Sequence, residues 1–213
     1  MPERPPIPLR GLYAITPDDH LLPRLSALVS SALAGGVRFV QYRNKFAPAP
    51  LKRAQAAEML RICRAADARL IVNDDLWLAL EIGADGVHLG RDDGDIRMAR
   101  QALGAKRILG VSCYGDFDRA QAAADAGADY IGIGSVFAST TKPEATRTSL
   151  DLLERAKREL DIPVAAIGGI TIGNVGQVID AGADMVAVIT DLFNTMNIQE
   201  RAAAYQKLFE DRK

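Results

Sequence analysis

The chain has 213 residues, of which 48% are hydrophobic, and its 26 lysine and arginine residues nearly balance its 27 acidic residues. This length allows one large domain or two small ones with a sizeable core, and the balanced charge argues against a nucleic-acid binder. No apolar run reaches the roughly 18 residues that a membrane span needs, and no signal-peptide pattern opens the chain. Two cysteines without a disulfide pattern indicate a reducing compartment, so we expect a cytoplasmic protein.

A proline-rich stretch, MPERPPIP, opens the chain, and we expect residues 1–10 to form a flexible tail. Beyond it, apolar runs alternate with helical patterns. The predicted strands lie near 12–16, 37–43, 69–73, 86–89, 107–112, 130–134, 163–168 and 185–190. About eight such units predict an α/β fold, a single compact (β/α)8 TIM barrel over residues 11–213, although roughly 250 residues is more usual for that fold. The alternative, an open doubly wound sheet, is less favoured because no glycine-rich dinucleotide fingerprint follows the first strand.

Three similar phrases support this order of elements: GADGVHLG from Gly83, GADYIGIG from Gly127 and GADMVAVI from Gly182. Each phrase follows a helical pattern and leads into an apolar strand. Glycine ends a helix by adopting the left-handed conformation, and a strand that is apolar throughout is typical of a parallel sheet covered on both faces. The repetition therefore predicts helix–turn–strand units in a parallel sheet.

The second predicted strand, RFVQYRNK, becomes polar towards its end. Because side chains alternate along a strand, Gln41, Arg43 and Lys45 share one direction with Phe39, and Tyr42 points towards a helix. The active site of a barrel lies at the carboxyl ends of its strands, so these residues are predicted to line a polar mouth. The alternative is that Arg43 and Lys45 are solvated charges on the rim.

Acidic residues follow the third and fourth predicted strands. Asn73 and Asp74 end the third strand, and Asp92 and Asp93 lie just past the fourth. Neighbouring strand ends lie within side-chain reach, and two carboxylates beside cationic groups suit Mg²⁺, which binds through carboxylates and substrate phosphates. Taken singly, each aspartate is equally well explained as a turn or cap residue, and Asp75 is the simplest candidate for a helix cap.

Hydroxyl groups, one ammonium group and glycines follow the later strands, and they suit phosphate-bearing ligands. Ser112 ends the fifth strand and is placed to donate a hydrogen bond between two anion sites. One site, on strands two to four, would use a metal and suit a diphosphate; the other, on strands six to eight, would suit a monophosphate. The long loop after strand six could instead be an ordinary polar loop. The residues concerned are Ser139, Thr140, Thr141 and Lys142 in that loop, and Gly168 and Gly169 after strand seven.

Seven motifs in chain order, running from residue 12 to about 190, resemble the thiamine-phosphate synthase family. They are GLYAIT, VQYRNK, LIVNDD, GADGVHLGRDD, GVSCY, GADYIGIGSVFASTTKP and VAAIGGIT. The resemblance implies a TIM-barrel transferase that couples 4-amino-5-hydroxymethyl-2-methylpyrimidine diphosphate to a thiazole phosphate. The products are thiamine phosphate and diphosphate. It also implies that the partners are small phosphorylated molecules, with no nucleic acid and no membrane, and it leaves a homo-oligomer open.

The resemblance assigns three groups of site residues and one cofactor, Mg²⁺. The pyrimidine diphosphate would be held by Gln41, Arg43, Lys45, Asn73, Ser112 and Lys142, of which Arg43, Lys45, Ser112 and Lys142 are the predicted catalytic residues. The metal ligands would be Asp74 and Asp93. The thiazole phosphate would contact Ser139, Thr140, Thr141, Gly169, Ile189 and Thr190.

The chain departs from the family pattern at Arg91, where glutamine is frequent, and this charge bears on the geometry of the metal site. The implied reaction releases diphosphate and leaves a pyrimidine methylene cation, which the thiazole nitrogen attacks. No protein nucleophile is needed, and His88 is interpreted as a hydrogen-bonded core residue. The alternatives are a thiazole tautomerase-like barrel, a phosphosugar isomerase and a non-catalytic barrel that binds thiamine precursors.

Overall fold

The computed structural model describes residues 7–139 and 146–212. Eight parallel strands follow one another around a closed barrel in chain order. The strands are β1 (Gly11–Ile15), β2 (Phe39–Tyr42), β3 (Arg69–Asn73), β4 (Gly86–Leu89), β5 (Ile108–Tyr114), β6 (Tyr130–Ile133), β7 (Val164–Ile167) and β8 (Met185–Val188). The predicted TIM barrel is confirmed, and each predicted strand has its counterpart.

Helices cover the outside of the barrel between the strands. They are α1 (Leu22–Ala34), α2 (Ala49–Ala65), α3 (Leu76–Ile82), α4 (Ile96–Leu103), α5 (Phe117–Asp125), α6 (Leu150–Glu159), α7 (Val175–Asp180), α8 (Thr190–Phe193) and α9 (Ile198–Glu210). The last helix, α9, contacts both α1 and β1, so it closes the outer layer where the chain returns to its start. In the part of the chain that the structure describes, no helix has the length and apolar character that crossing a membrane requires.

Two apolar cores follow from the alternation of side chains along the strands. The larger core lies between the strands and the helices. The smaller one fills the barrel interior with Tyr13, Ile15, Phe39, Ile71, Tyr130, Ala165, Met185 and Ala187. Ile7 and Leu9 pack against this interior cluster. The predicted flexible tail over 1–10 stays a prediction, because residues 1–6 lie outside the described residues.

The aspartates of the three GAD phrases connect neighbouring strands. The carboxylate of each accepts a hydrogen bond from a main-chain N–H at the start of the preceding strand. The bonds run from Leu70 N to Asp85 at 2.8 Å, from Leu109 N to Asp129 at 2.7 Å and from Val164 N to Asp184 at 2.9 Å. Gly83 ends α3 in the left-handed conformation at φ 70°, as the pattern predicts.

Candidate active site

The described members of the predicted site gather at one end of the barrel, because the carboxyl ends of parallel strands share that end. A groove of about 880 Å³ opens beside the ends of β3 and β4, and its lining includes Lys45, Asn73, Asp74 and Asp93. Three of the predicted residues, Thr140, Thr141 and Lys142, lie outside the described residues. The remaining members are placed by the strands or by the first residues of the loops that follow them.

The side chains of Asp74 and Asp93 both line this groove and lie close enough to influence each other. Partial burial raises the pKa of Asp74, and the neighbouring Asp93 raises it further, whereas Lys45 and Asn73 act in the opposite direction. The ammonium of Lys45 lies 3.9 Å from Asp74 Oδ2. Two neighbouring carboxyl groups repel each other unless they share a proton or a cation, so this arrangement fits a bound cation.

The main chain turns sharply at Asp74, and this turn directs its carboxylate to the mouth. Asp74 has a positive φ of 64°, a conformation in which Asp is one of the few tolerated residues. Its N–H donates to the carbonyl of His88 at 2.8 Å, which ties the turn to β4. Asp75 then caps α3 by accepting a hydrogen bond from Leu78 N at 2.8 Å. The interpretation of Asp75 as a helix cap is therefore confirmed.

Asp93 is held by a tight turn after β4. Its Oδ2 accepts a hydrogen bond from Gly90 N at 2.7 Å. The guanidinium of Arg119 donates to Gly90 O at 3.1 Å and to Ser112 O at 2.7 Å, so it joins the ends of β4 and β5. These contacts fix the distance between the strand end that carries Asp93 and the one that carries Ser112.

Arg91, the departure from the family pattern, is exposed and lies against Tyr114. Its guanidinium carbon is 5.1 Å from the centre of the Tyr114 ring, within the range of a cation–π contact. The Tyr114 hydroxyl accepts a hydrogen bond from Arg91 N at 3.2 Å. The added charge is therefore stacked on an aromatic ring of β5.

The cations after β2 are positioned by Asp18, which the sequence did not single out. Asp18 Oδ2 accepts a hydrogen bond from Arg43 Nη1 at 2.8 Å, and Asp18 Oδ1 accepts one from Lys45 N at 2.6 Å. The hydroxyl of Thr16 donates to Arg43 O and accepts from Arg43 N, both at 2.8 Å. The β1–α1 loop thus holds the first residues of the β2–α2 loop. Tyr42 points away from the barrel interior, as predicted, and donates to Gln55 of α2.

A chain of side-chain hydrogen bonds runs through the barrel interior beneath the mouth. Gln41 Nε2 donates to the Tyr13 hydroxyl at 2.9 Å, and the hydroxyls of Tyr13 and Tyr130 are 2.8 Å apart. His88 Nδ1 lies 2.9 Å from the Tyr130 hydroxyl, and His88 Nε2 lies 2.8 Å from Ser112 Oγ. The interpretation of His88 as a hydrogen-bonded core residue is confirmed, whereas the two tyrosines were not predicted to take part.

On the other side of the mouth, the glycines after β7 allow the main chain there to lie close to the main chain of the loop after β6. Gly168 and Gly169 have positive φ values of 106° and 60°. A Cβ atom at Gly169 would overlap the main chain of Ala138, the residue before Ser139. Phe137 N donates to Gly168 O at 3.0 Å, which ties the loop after β6 to the end of β7. Main-chain groups can therefore approach a ligand closely here.

The short helix α8 begins at Thr190, directly after Ile189 at the end of β8. The next residue, Asp191, would place a negative charge near any anion bound here. Its Oδ2 accepts hydrogen bonds from Arg201 at 2.6 Å and from the Tyr205 hydroxyl at 2.7 Å. The guanidinium of Arg201 pairs with the charge of Asp191 and so reduces its repulsion of an anion at the ends of β7 and β8.

Among residues 7–139 and 146–212, no cluster of three or more His, Cys, Asp or Glu side chains is arranged to hold a metal ion. The neighbouring carboxylates of Asp74 and Asp93 would therefore need oxygen atoms from a ligand or from water to complete a coordination shell. A hard cation that binds through one or two carboxylates and substrate phosphates has this requirement.

A closed parallel barrel with an acidic pair, cations and glycines at the carboxyl ends of its strands belongs to the class of TIM-barrel enzymes. Within that class, the chain belongs to the thiamine monophosphate synthase family, because the model of that family matches residues 12–192. The resemblance drawn from the sequence motifs is thereby confirmed.

Individual relatives agree with this assignment. The chain is 53% identical to the thiamine-phosphate synthase of Aromatoleum aromaticum over 202 residues, covering 95% of this chain and 97% of the relative. It is 52% identical to that of Nitrosococcus oceani over 203 residues, covering 94% and 93%. Among solved structures, the thiamine phosphate pyrophosphorylase of Pyrococcus furiosus superposes with a TM-score of 0.85 at 33% identity, covering 95% of this chain and 96% of that one.

Proposed function

We propose that this enzyme couples 4-amino-5-hydroxymethyl-2-methylpyrimidine diphosphate to a thiazole phosphate and releases thiamine phosphate and diphosphate. The family assignment supports the reaction. The observation that carries the proposal for this chain is that Asp74 and Asp93 line the same groove at the mouth, with the ammonium of Lys45 3.9 Å from Asp74. A carboxylate pair of this kind suits a cation, and a diphosphate brings the further oxygen ligands that magnesium requires.

The residues around the acidic pair would hold the pyrimidine diphosphate. Asp74 and Asp93 would bind Mg²⁺, which when bound supplies charge neutralisation for the departing diphosphate. Arg43 is held at the mouth by Asp18 and, together with Lys45, would donate to the phosphate oxygens. The remaining predicted contacts to this substrate are Gln41, Asn73, Ser112 and Lys142.

The other side of the mouth would bind the thiazole phosphate. The main chain around Gly169 and the start of α8 offer N–H groups to a monophosphate. Held there, the thiazole would direct its nitrogen at the pyrimidine methylene carbon. The remaining predicted contacts are Ser139, Thr140, Thr141, Ile189 and Thr190.

The bond changes need no protein nucleophile. The methylene C–O bond breaks and its electron pair leaves with the diphosphate, and the lone pair of the thiazole nitrogen forms the new C–N bond. Cys113 lies near the mouth in β5, but burial raises its pKa to about 12, so its thiol stays protonated and unreactive at neutral pH.

The test is a product assay with both substrates, with and without magnesium. We expect thiamine phosphate only when the metal is present, and we expect Asp74→Asn or Asp93→Asn to lower kcat by at least about 100-fold. The matched control is Asp92→Asn, because Asp92 is exposed beside Asp93 and should leave kcat unchanged. Thiamine phosphate formed at the full rate in a chelator, or by both site variants, would rule out this assignment of the acidic pair.

A further inference from the structure

The hydrogen-bond chain inside the barrel links two side chains that the proposed function places on one substrate, Gln41 and Ser112. The three residues between them, Tyr13, Tyr130 and His88, have no part in the bond changes described above. Their strands are β1, β6 and β4, so the chain passes through the interior and joins residues that are far apart in the sequence.

The donor and the acceptor of each hydrogen bond in this series can be assigned one bond at a time. The amide Nε2 of Gln41 can only donate, so the oxygen of Tyr13 accepts there. Among the described residues, the buried Tyr13 proton has an acceptor only when it goes to the Tyr130 hydroxyl, so we assign Tyr13 as the donor of that bond. Tyr130 then gives its proton to Nδ1 of His88, which must be the unprotonated nitrogen. A neutral imidazole in that form carries its proton on Nε2 and donates it to Ser112 Oγ.

The surroundings keep both tyrosines neutral, as this counting requires. Tyr13 is 2% exposed and Tyr130 is 1% exposed, and burial raises the pKa of each phenol above its usual value. The ring of Tyr130 stacks against the His88 imidazole with the ring centres 5.5 Å apart. A Cβ atom at Gly110 of β5 would overlap the ring of Tyr130, so the barrel wall leaves space for this ring.

We infer that the hydrogen bonds are all donated in one direction, from Gln41 towards Ser112. This direction decides which group at each end is left to donate or to accept a hydrogen bond at the mouth. Ser112 Oγ accepts from His88 and therefore has its own proton left for an acceptor at the mouth. Gln41 uses its nitrogen inside the barrel and therefore offers its Oε1 to a donor. His88 is a positioning residue that acts through Ser112.

This inference rests on the proposed function, because the diphosphate and the aminopyrimidine ring of the one substrate decide which hydrogen-bonding groups are useful at the two ends. A diphosphate offers only acceptors to the mouth at neutral pH, so it needs Ser112 as a donor. An aminopyrimidine carries an exocyclic amine that donates, so it needs an acceptor such as Gln41 Oε1. The reverse direction would present a lone pair of Ser112 to the diphosphate and an amide N–H of Gln41 to the amine.

The direction can be tested without any substrate by nitrogen NMR on protein labelled at histidine. The protein has two histidines, and His20 is exposed. The substitution His20→Gln therefore leaves His88 as the single histidine signal. We expect a protonated Nε2 and an unprotonated Nδ1 at neutral pH. Tyr130→Phe removes the donor to Nδ1, and we expect the preference to be lost. A proton on Nδ1, or on both nitrogens, in the parent protein would overturn the inference.

The effect on the reaction can be tested with two substitutions of His88. Glutamine can place an amide nitrogen near the position of Nε2 and keep a donor to Ser112, whereas asparagine reaches only the position of Nδ1. We expect His88→Asn to lower kcat by about 10- to 100-fold, as for the loss of an oriented donor, and His88→Gln to restore most of it. In a Ser112→Ala background the two substitutions should give equal kcat values.

A purely structural role for His88 would give a different pattern. In that case both His88 variants would lose thermal stability and kcat to the same extent. The loss would also appear when the variants are made in the Ser112→Ala background. That result would overturn the inference. If the parent protein made no thiamine phosphate, the proposed function would fail. The NMR experiment would still decide the direction of the chain in that case.

Discussion

Asp18 shows how a single residue of one loop positions two cations of the next. Its carboxylate holds both the guanidinium of Arg43 and the main-chain N–H of Lys45. The Arg43 side chain is only 11% exposed, so this ion pair is partly shielded from solvent. Asp18 therefore fixes the direction of the guanidinium before any ligand arrives, although its own negative charge also lies near the proposed diphosphate site.

We expect orientation to outweigh charge repulsion. Asp18→Ala should raise KM for the pyrimidine diphosphate about 3- to 10-fold, equivalent to roughly 1 kcal/mol for a charged hydrogen bond near the surface. Asp18→Asn keeps an acceptor oxygen and should have a smaller effect. The measurement is steady-state kinetics, with the exposed Asp118→Ala of α5 as control. A lower KM in Asp18→Ala would mean that the carboxylate mainly opposes the substrate.

The sequence pattern singles out residues for the mouth, but it does not indicate the residues that support them. Alternation along β2 correctly placed Gln41 in the interior and Tyr42 against a helix, because both are properties of one strand. The partners of these residues lie in other elements. Nothing in the local pattern indicates that the Tyr13 hydroxyl meets that of Tyr130, since the two residues are separated by 117 positions.

At the scale of elements, the GAD aspartates join each helix–strand unit to the preceding strand. Asp129 accepts a hydrogen bond from Leu109 N at 2.7 Å and pairs with Arg100 of α4. The repeat identified the glycine as a helix end, which is a local property. The aspartate could not be interpreted in the same way, because its partner lies near the start of a strand in a different unit.

We expect Asp129→Ala to lower the free energy of unfolding by about 1–3 kcal/mol, because it leaves the part-buried Leu109 N–H without its acceptor. Urea denaturation measures this change. The matched control is Asp125→Ala, since Asp125 is exposed at the end of α5 and accepts a hydrogen bond from the exposed Gln121. The activity of folded Asp129→Ala should be unchanged, because Asp129 precedes β6 and lies at the opposite end from the site. A loss of kcat without a loss of stability would contradict this separation.

The end of one strand, β5, differs from its prediction because of how that strand pairs with its neighbour in the sheet. β5 was predicted to end at residue 112, but it continues to Tyr114. The pairing with β6 shifts its register between Ser112 and Tyr114. Such a bulge inserts an extra residue into one strand and redirects nearby side chains. It depends on the partner strand, so the sequence of β5 alone does not contain it.

At the scale of the whole molecule, the alternation of strands and helices predicted a parallel sheet, because right-handed crossovers leave few other arrangements. The count of about eight units and the missing dinucleotide fingerprint then favoured the closed barrel over an open sheet. The side chains that fill the barrel interior were harder to predict from the sequence. The interior cluster includes Tyr13, Phe39 and Met185, which come from β1, β2 and β8 and therefore from both ends of the sequence. Ile7 and Leu9, which precede β1 and fall within the predicted tail, also pack against this cluster.

These contacts lead to a prediction about the start of the chain. Deleting residues 1–6 should leave the free energy of unfolding unchanged if that segment behaves as the predicted tail. Deleting residues 1–9 should lower it by about 1–3 kcal/mol, because Ile7 and Leu9, both half-buried, would no longer cover the interior cluster. The double substitution Ile7→Ser and Leu9→Ser should reproduce this loss in the full-length chain.

Thermal and urea denaturation of the four proteins would measure the differences. We also expect the longer deletion to keep its kcat below the unfolding transition, since the start of β1 lies at the end of the barrel opposite Asp74 and Ser112. Equal stability of the two deletions would show that Ile7 and Leu9 contribute nothing to the core. A loss of stability already in the shorter deletion would contradict the tail prediction, because residues 1–6 would then take part in the fold.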